Sequence, residues 1–281
     1  MFSNAESVYI DGKEVESIIT ADGGVLYQKK SGYDLLLTCD KPILSLHDND
    51  SCTVTGVLTL NGVPVQDETV DYSIMHNDTT LDSGSLMTDE TGEITLDYAS
   101  TGVGDVEVIF TLRSLLQKTC SLEDMLYANV DEHTNNHTFE TITSGIKNLP
   151  ENFELSVDLF SSGLVQDSEQ RLYLCASSTY NGASQPAQAV YVGFNRPNNV
   201  EYGLRNNSTG WYIKTIWNAH NQYHTFKIIR QGSTYRYYVD DSLMGTLNYS
   251  NLSNYDDFTL CWINWASNYT FNFKNLKLKA L

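Results

Sequence analysis

The chain has 281 residues, 41% of them hydrophobic, with a mean hydropathy of −0.31 and a formal net charge of −18. That length suits two domains, or two with a small extra piece. No apolar run approaches the ~20 residues of a membrane helix, and 17 Lys and Arg against 35 Asp and Glu argue against a nucleic-acid partner.

The acid is concentrated in one stretch. Residues 31–124 carry a net −14, whereas residues 1–30 and 125–281 carry −2 each. A strongly acidic segment therefore precedes a nearly neutral, aromatic-rich half that suits an uncharged ligand. The start, MFSNAESVYIDG, has neither the basic nor the apolar region of a secretory leader. The reading is that a chain working outside a cell would leave by another route, such as inside a virion.

Strand-like alternation runs through nearly the whole sequence, in short segments rich in Val, Ile, Thr and Tyr and bounded by Gly, Asn, Asp and Ser. Residues 1–32 predict a small hairpin segment, with turns at Asp11-Gly12 and Asp22-Gly23-Gly24. Such a ribbon is marginal alone, so it should pair with another chain or pack on the next domain. Residues 33–124 predict a β-sandwich with strands at 33–39, 51–60, 69–75, 81–88, 93–99 and 106–112. The stretch 114–126, SLLQKTCSLEDML, alone has a helical flavour and reads as a domain end and linker. Residues 125–281 predict a larger sandwich of about eleven strands.

Three resemblances sharpen this outline. VYIDGKEV…GGVLYQ resembles the short N-terminal segments of phage and archaeal-virus tail proteins. TVTGVLTLNGVPVQDETVDYSI, followed by TDETGEITLDYASTGVGDVEVIF, resembles bacterial Ig-like modules, although the Cys…Trp…Cys set of antibody domains is missing. YHTFKIIRQGSTYRYYVDDSLMGTL and the closing FKNLKLKAL resemble concanavalin-A-like, laminin-G-like domains, with Tyr223 in place of the usual Trp and Asp241 in place of the usual Gly. The implied fold is all-β: an N-terminal β-hairpin segment, an Ig-like β-sandwich, then a concanavalin-A-like jelly-roll β-sandwich.

That jelly roll hosts both hydrolases and lectins, so function must come from residues. Glycoside hydrolysis needs two carboxyl groups, ~5–5.5 Å apart in retaining enzymes. No E-x-D-x-x-E run is present. Glu154 and Asp158 share a strand face but stand about 13 Å apart along it. Asp240-Asp241 reads as a hairpin turn, with a calcium ligand as the functional alternative. His133/His137 and His220/His224 have i, i+4 spacing, which converges on zinc in a helix but not in loops and strands. The five cysteines are odd in number and widely spaced, which fits neither a disulfide framework nor a zinc site. They read as reduced thiols buried on strands, with a Cys175–Cys261 bridge left open. The expectation is a non-enzyme with no catalytic residues, no metal and no cofactor, calcium apart.

Recognition is the remaining class. All four tryptophans, Trp211, Trp217, Trp262 and Trp265, lie in the last third, though half the aromatics of a sandwich must fill its core. The segments 177–188, 195–210 and 218–224 are rich in Asn, Ser and Tyr, a composition favoured in recognition loops. The candidate carbohydrate-binding residues are Tyr180, Asn181, Tyr202, Arg205, Trp217, Asn264 and Trp265. The expected partners are a host surface glycan or cell-wall polysaccharide, and other virion structural proteins through residues 1–30. A single sugar site near 1 mM is worth about −4 kcal/mol, so a homo-oligomer on a virion or extracellular surface is expected for avidity. The alternatives are a structural virion protein whose jelly roll joins subunits, and a glycan-active hydrolase.

Overall fold

The computed structural model describes the backbone of residues 8–10, 13–15, 17–19, 25–28, 32–112, 116–135, 139–164, 169–195, 199–206, 208–215, 219–266 and 268–281. Side-chain environments are described from residue 32 onward, apart from 208–215 and 251. The first strands are β1 (Val8–Ile10), β2 (Lys13–Val15), β3 (Ser17–Ile19), β4 (Val25–Gln28), β5 (Tyr33–Cys39), β6 (Ile43–Ser45), β7 (Ser51–Leu60), β8 (Val63–Pro64), β9 (Thr69–His76), β10 (Thr79–Met87), β11 (Glu93–Ala99), β12 (Gly104–Leu112) and β13 (Leu116–Met125). Next come β14 (Tyr127–Asn129), β15 (His133–Thr134), β16 (Phe139–Lys147), β17 (Phe153–Ser161), β18 (Glu169–Ala176), β19 (Gln188–Asn195), β20 (Asn199–Asn206) and β21 (Ser208–Thr215). The chain closes with β22 (Tyr223–Gln231), β23 (Thr234–Val239), β24 (Ser242–Asn248), β25 (Asp257–Asn264) and β26 (Phe271–Ala280). Among the described residues the only helical pieces are 3-10 turns at Ser177–Thr179 and Asn251–Asn254, so the protein is all-β.

The chain forms two compact units. The first comprises Met1–Pro42, Cys52–Tyr98 and Asp105–Leu122; the second comprises Ile43–Ser51, Ala99–Gly104 and Glu123–Leu281. In the first unit β1 pairs with β2 and β3 with β4, as separate hairpins. The turn residues expected there, Asp11-Gly12 and Asp22-Gly23-Gly24, lie outside the described residues. One sheet then runs β11-β7-β5, with β8 on β7, and a second carries β10-β9-β12-β13. β7, β11 and β12 alternate along their length, burying Val54, Leu58, Ile94, Leu96, Tyr98, Val108 and Phe110. Each such side chain contributes about 1.5–3 kcal/mol of transfer free energy.

The TDETGE motif has a local physical cause. The Asp89 carboxylate accepts hydrogen bonds from the Thr91 amide, the Thr91 hydroxyl and the Glu93 amide, at 2.7–2.9 Å. Those bonds hold its pKa below the usual carboxylate range. Gly92 has φ +77°, and a Cβ there would fall 2.5 Å from the Leu58 carbonyl oxygen. The helical reading of 114–126 is corrected: Leu116–Met125 is strand β13, paired with β12 and, in parallel, with β6. Leu, Gln, Lys, Glu and Met favour helix only weakly, and sheet pairing overrides them.

The second unit is a sandwich. A seven-stranded sheet runs β14-β26-β17-β22-β23-β24, with β15 beside β26, and a six-stranded sheet runs β16-β25-β18-β19-β20-β21. Between them lie Phe153, Leu155, Leu172, Leu174, Val190, Phe194, Phe226, Trp262, Phe271 and Leu278, all buried. The segment 195–210, read partly as loop and partly as a strand at 201–205, is mostly the β20–β21 hairpin.

The two sheets treat their outer faces differently. β17, β22, β23 and β26 alternate between buried and partly exposed positions. β18, β19 and β25 are buried at nearly every residue, and therefore on both faces. That difference sets up the site described next.

Asp240-Asp241 forms the β23–β24 turn, with φ 47° and 60°, the left-handed pair of a type I′ hairpin. Asp240 meets His224 Nδ1 at 2.6 Å and accepts from the Thr225 amide, while Asp241 meets Lys227 at 3.3 Å. The turn reading thus explains both residues without a calcium ion. Replacing Asp241 by Gly should stabilise the protein by roughly 0.5–1 kcal/mol, because a non-glycine residue is strained there and the lost ion pair is exposed. Urea denaturation checks this; a loss of stability would mean the Lys227 contact outweighs the strain.

Candidate functional site

The outer face of the six-stranded sheet carries a buried cluster of charged and phenolic side chains. Strand parity places it there: Leu172 and Leu174 of β18 enter the core, so Arg171, Tyr173 and Cys175 point the other way. By the same parity Tyr191, Gly193 and Asn195 of β19, and Glu201 and Arg205 of β20, belong to that face. Register aligns Arg171 with Gly193 and Gly193 with Glu201. Arg171 and Glu201 are thus two strand spacings apart, ~9.5 Å between backbones, with no side chain between them. A Cβ at Gly193 would fall 2.0 Å from the Gln170 carbonyl oxygen, so only glycine fits.

The guanidinium spans that gap. Arg171 Nε donates to Glu201 Oε2 at 2.9 Å, Nη2 to Glu201 Oε1 at 2.6 Å, and Nη1 to the Tyr173 hydroxyl at 3.2 Å. Nη1 also lies 2.7 Å from Glu169 Oε2. The Tyr191 hydroxyl and the Asn195 amide donate to Glu201 at 3.2 and 3.1 Å, and the Arg171 guanidinium lies over the Tyr191 ring at 4.8 Å. Side-chain exposure is 4% for Arg171, 0% for Glu201 and 22% for Glu169. Burial pushes the Tyr173 and Tyr191 hydroxyls far up, so both act only as neutral groups. Burial, opposed by Arg171, also raises the Glu169 pKa.

The segment 177–188 lies over this cluster. Ser177 is tied to Asp257 and Thr259 at 2.9 and 2.8 Å. Tyr180 packs against Tyr173, Cys175, Ala189, Tyr191, Cys261 and Ile263, and burial raises its pKa to about 12. Gln185 Nε2 donates to Glu169 Oε2 at 3.2 Å. At the rim, the Trp265 amide donates to the Glu169 carbonyl at 3.0 Å, and its ring meets Phe139 edge-on at 5.9 Å. The Trp265 residue is 42% exposed, the one exposed aromatic among the described side chains.

The expected ligand residues divide accordingly. Tyr180, Arg205 and Trp265 stand around the cluster, Arg205 close enough for its charge to act on Tyr173, and Arg205 Nε is buried without a hydrogen-bond partner among the described residues. Asn181 is exposed in the covering segment, where its side chain accepts from Ala183 and Ser184 and shapes a local turn. Two residues are corrected. Tyr202 turns into the core, stacks near Tyr237 at 5.0 Å and donates to the Met244 carbonyl at 3.1 Å. Asn264 is 6% exposed and spends its amide on Gln170, Ala266 and the Tyr269 and Asn135 carbonyls. Trp217 lies outside the described residues, as does the side chain of Trp211. Trp262 is a core residue, its indole N–H donating to Glu140 at 3.1 Å.

Sequence reasoning missed Arg171, Glu169 and Glu201. It sought paired carboxylates along one strand, whereas these two converge from strands separated by β19. The Cys175 and Cys261 sulfurs lie 4.0 Å apart as free thiols. Cys39 and Cys120 are only half-buried, not buried as expected. His133 stacks on Phe273, and His220 and His224 flank Phe194; His137 lies outside the described residues.

No family model matches the chain, and no curated protein matches it. Among solved structures, the carbohydrate-binding module CBM66 from Bacillus subtilis is 12% identical, with a TM-score of 0.34 over 65% of this chain and 85% of that one. The Emp47p carbohydrate recognition domain is 9% identical, with a TM-score of 0.36 over 63% and 79%. An endo-β-1,3-glucanase from Pyrococcus furiosus is 10% identical, with a TM-score of 0.36 over 98% of each chain. Likenesses at this level assign neither ligand nor chemistry.

Two outcomes follow from the cluster. Arg171→Met should cost about 3–5 kcal/mol by chemical denaturation, since it strands a buried carboxylate, and adding Glu201→Leu should recover much of that. Purely additive losses would mean the pair is not coupled. Glu169 has a folded pKa above its unfolded value, so its stabilising contribution is complete below the unfolded pKa and fades as pH rises through the folded one. Glu169→Gln should therefore gain stability on the wild type between pH 4 and 7. A gap that narrows over that interval would show that the Arg171 attraction dominates.

Proposed function

We propose that the second unit binds neutral glycan at the Trp265 rim of the six-stranded sheet, without catalysis. The observation that carries this reading is Trp265: a large aromatic left exposed beside a mostly covered carboxylate. An indole face offers stacking area to the C–H face of a sugar ring. Glu169 and Gln185 supply hydroxyl partners nearby. The near-zero charge of residues 125–281 favours an uncharged ligand over an anionic one.

The wider setting we propose is an adhesin on a virion or cell surface, held in several copies and attached through residues 1–30. Its support is the sequence resemblance of residues 1–30 and 53–110 and the avidity that weak sugar sites need.

A glycan-active enzyme is the second reading, and one observation favours it. Glu169, whose pKa is raised, shares the Arg171 guanidinium with a second carboxylate. Against it, Glu201 is fully buried and both its oxygens are occupied by Arg171, Tyr191 and Asn195. It cannot reach an anomeric carbon or a water without dismantling the cluster.

Glycan-array screening followed by calorimetry on the full chain tests the proposal. Binding should fall at least tenfold in Trp265→Ala, about 1.4 kcal/mol or more, with an unchanged thermal midpoint. Undiminished binding would remove the rim from consideration. Sugar release by the wild type that stops in Glu169→Gln would replace the binding reading with the enzymatic one.

A further inference from the structure

Three of the five cysteines, remote in sequence, meet in the first unit. Cys39 ends β5, and Cys52 stands at the start of β7. Register pairs Cys39 with Val54, so Cys52, two residues before Val54, shares its face one diagonal step away. Asp40 folds back on the same corner, its Oδ1 accepting from the Thr53 amide at 2.8 Å. The ligating atoms of Cys39, Asp40 and Cys52 all lie within 4.8 Å of one another. Cys120 of β13, on the other sheet, stands close enough to Cys39 for the two thiols to interact. Lys118 and Asp34, at 3.4 Å, bring the same two strands together.

The corner has the inventory of a metal centre. Three sulfurs and one carboxylate make a soft, four-member donor set, which suits a tetrahedral d¹⁰ cation and not the oxygen-rich shell of calcium. Zinc–thiolate bonds of ~2.3 Å put sulfurs about 3.8 Å apart in a tetrahedron, so the donors of Cys39, Asp40 and Cys52 close with movements of at most about 1 Å. Cys52 is 3% exposed, whereas Asp40 is exposed, so the site has a buried floor and an open entrance. Binding would release the thiol protons to solvent and leave thiolates on the metal.

We propose that Cys39, Cys52, Cys120 and Asp40 bind one zinc-like divalent cation that clamps β5 and β7 to β13. The geometry requires no oxidation. Each ligating thiol gives up its S–H proton, and the sulfur lone pair forms the bond to the metal.

Cobalt(II) serves as the probe, added anaerobically to the full-length, reduced, metal-stripped protein. One equivalent should produce thiolate-to-cobalt charge-transfer absorption and the intense visible bands of a tetrahedral site, and zinc should bleach both. Affinity should fall as pH is lowered, and the thermal midpoint should rise on loading. Cys39→Ser should abolish the signal, and Cys120→Ser should weaken binding by more than the ~10–100-fold that loss of an outer-shell partner costs. Asp40→Asn, at an exposed position that leaves the core intact, should also weaken it and guards against a variant that merely fails to fold. Cys261→Ser should leave the signal unchanged. Absence of charge-transfer absorption in the wild type, its survival in Cys39→Ser, or its loss in Cys261→Ser would overturn the proposal.

Discussion

A guanidinium buried against a β-sheet is tolerable only if its charge is met, and much of the second unit is arranged around that requirement. Arg171 is held by Glu201 through two hydrogen bonds and by Glu169 and Tyr173 through the others. The cost of removing these charges from water is several kcal/mol per ion, offset only when geometry and additional hydrogen bonds are good. Tyr191 and Asn195 supply those bonds to Glu201, and Gln185 supplies one to Glu169. The covering segment is fixed partly by this network and partly by Tyr180 on the apolar floor. The exposed edge of the network is where Glu169 and Trp265 meet solvent, so the rim inherits rigidity from the buried charges beneath it.

Much of the fold was legible because strand signals are local. Alternation located β7, β11, β12, β17 and β22 to β24, and the left-handed Asp240-Asp241 turn could be anticipated from residue chemistry alone. TDETGE was readable as a motif, and its hydrogen bonds account for it fully. The strand at 116–125 was not legible, because its composition favours helix while its partners, β12 and β6, lie elsewhere in the chain. Tertiary pairing decides such segments, and a single sequence contains little about it.

The site was less legible for a related reason. Arg171, Tyr173 and Cys175 alternate with Leu172, Leu174 and Ala176, which announces a strand with one polar or aromatic face. What that face meets depends on register across β19, and on Gly193 leaving the path open. No linear spacing encodes the approach of residue 171 to residue 201. Tyr202 and Asn264 were misplaced by the converse error: composition marked them as ligand-facing, while parity and hydrogen bonding turn them inward. The cysteine corner was equally out of linear reach, since Cys39, Cys52 and Cys120 are neighbours only once two sheets have formed.

The Arg171–Gly193–Glu201 row also constrains how this sequence can drift. Losing the guanidinium strands a carboxylate, losing the carboxylate strands a guanidinium, and a side chain at the middle position collides with the neighbouring backbone. Yet replacing both charges together by well-packed apolar residues can be neutral or stabilising. The three positions therefore form an evolutionary lock with two permitted states, charged and oily, separated by intermediates less fit than either. Homologues should fall into two discrete classes at these positions, with no graded series between them.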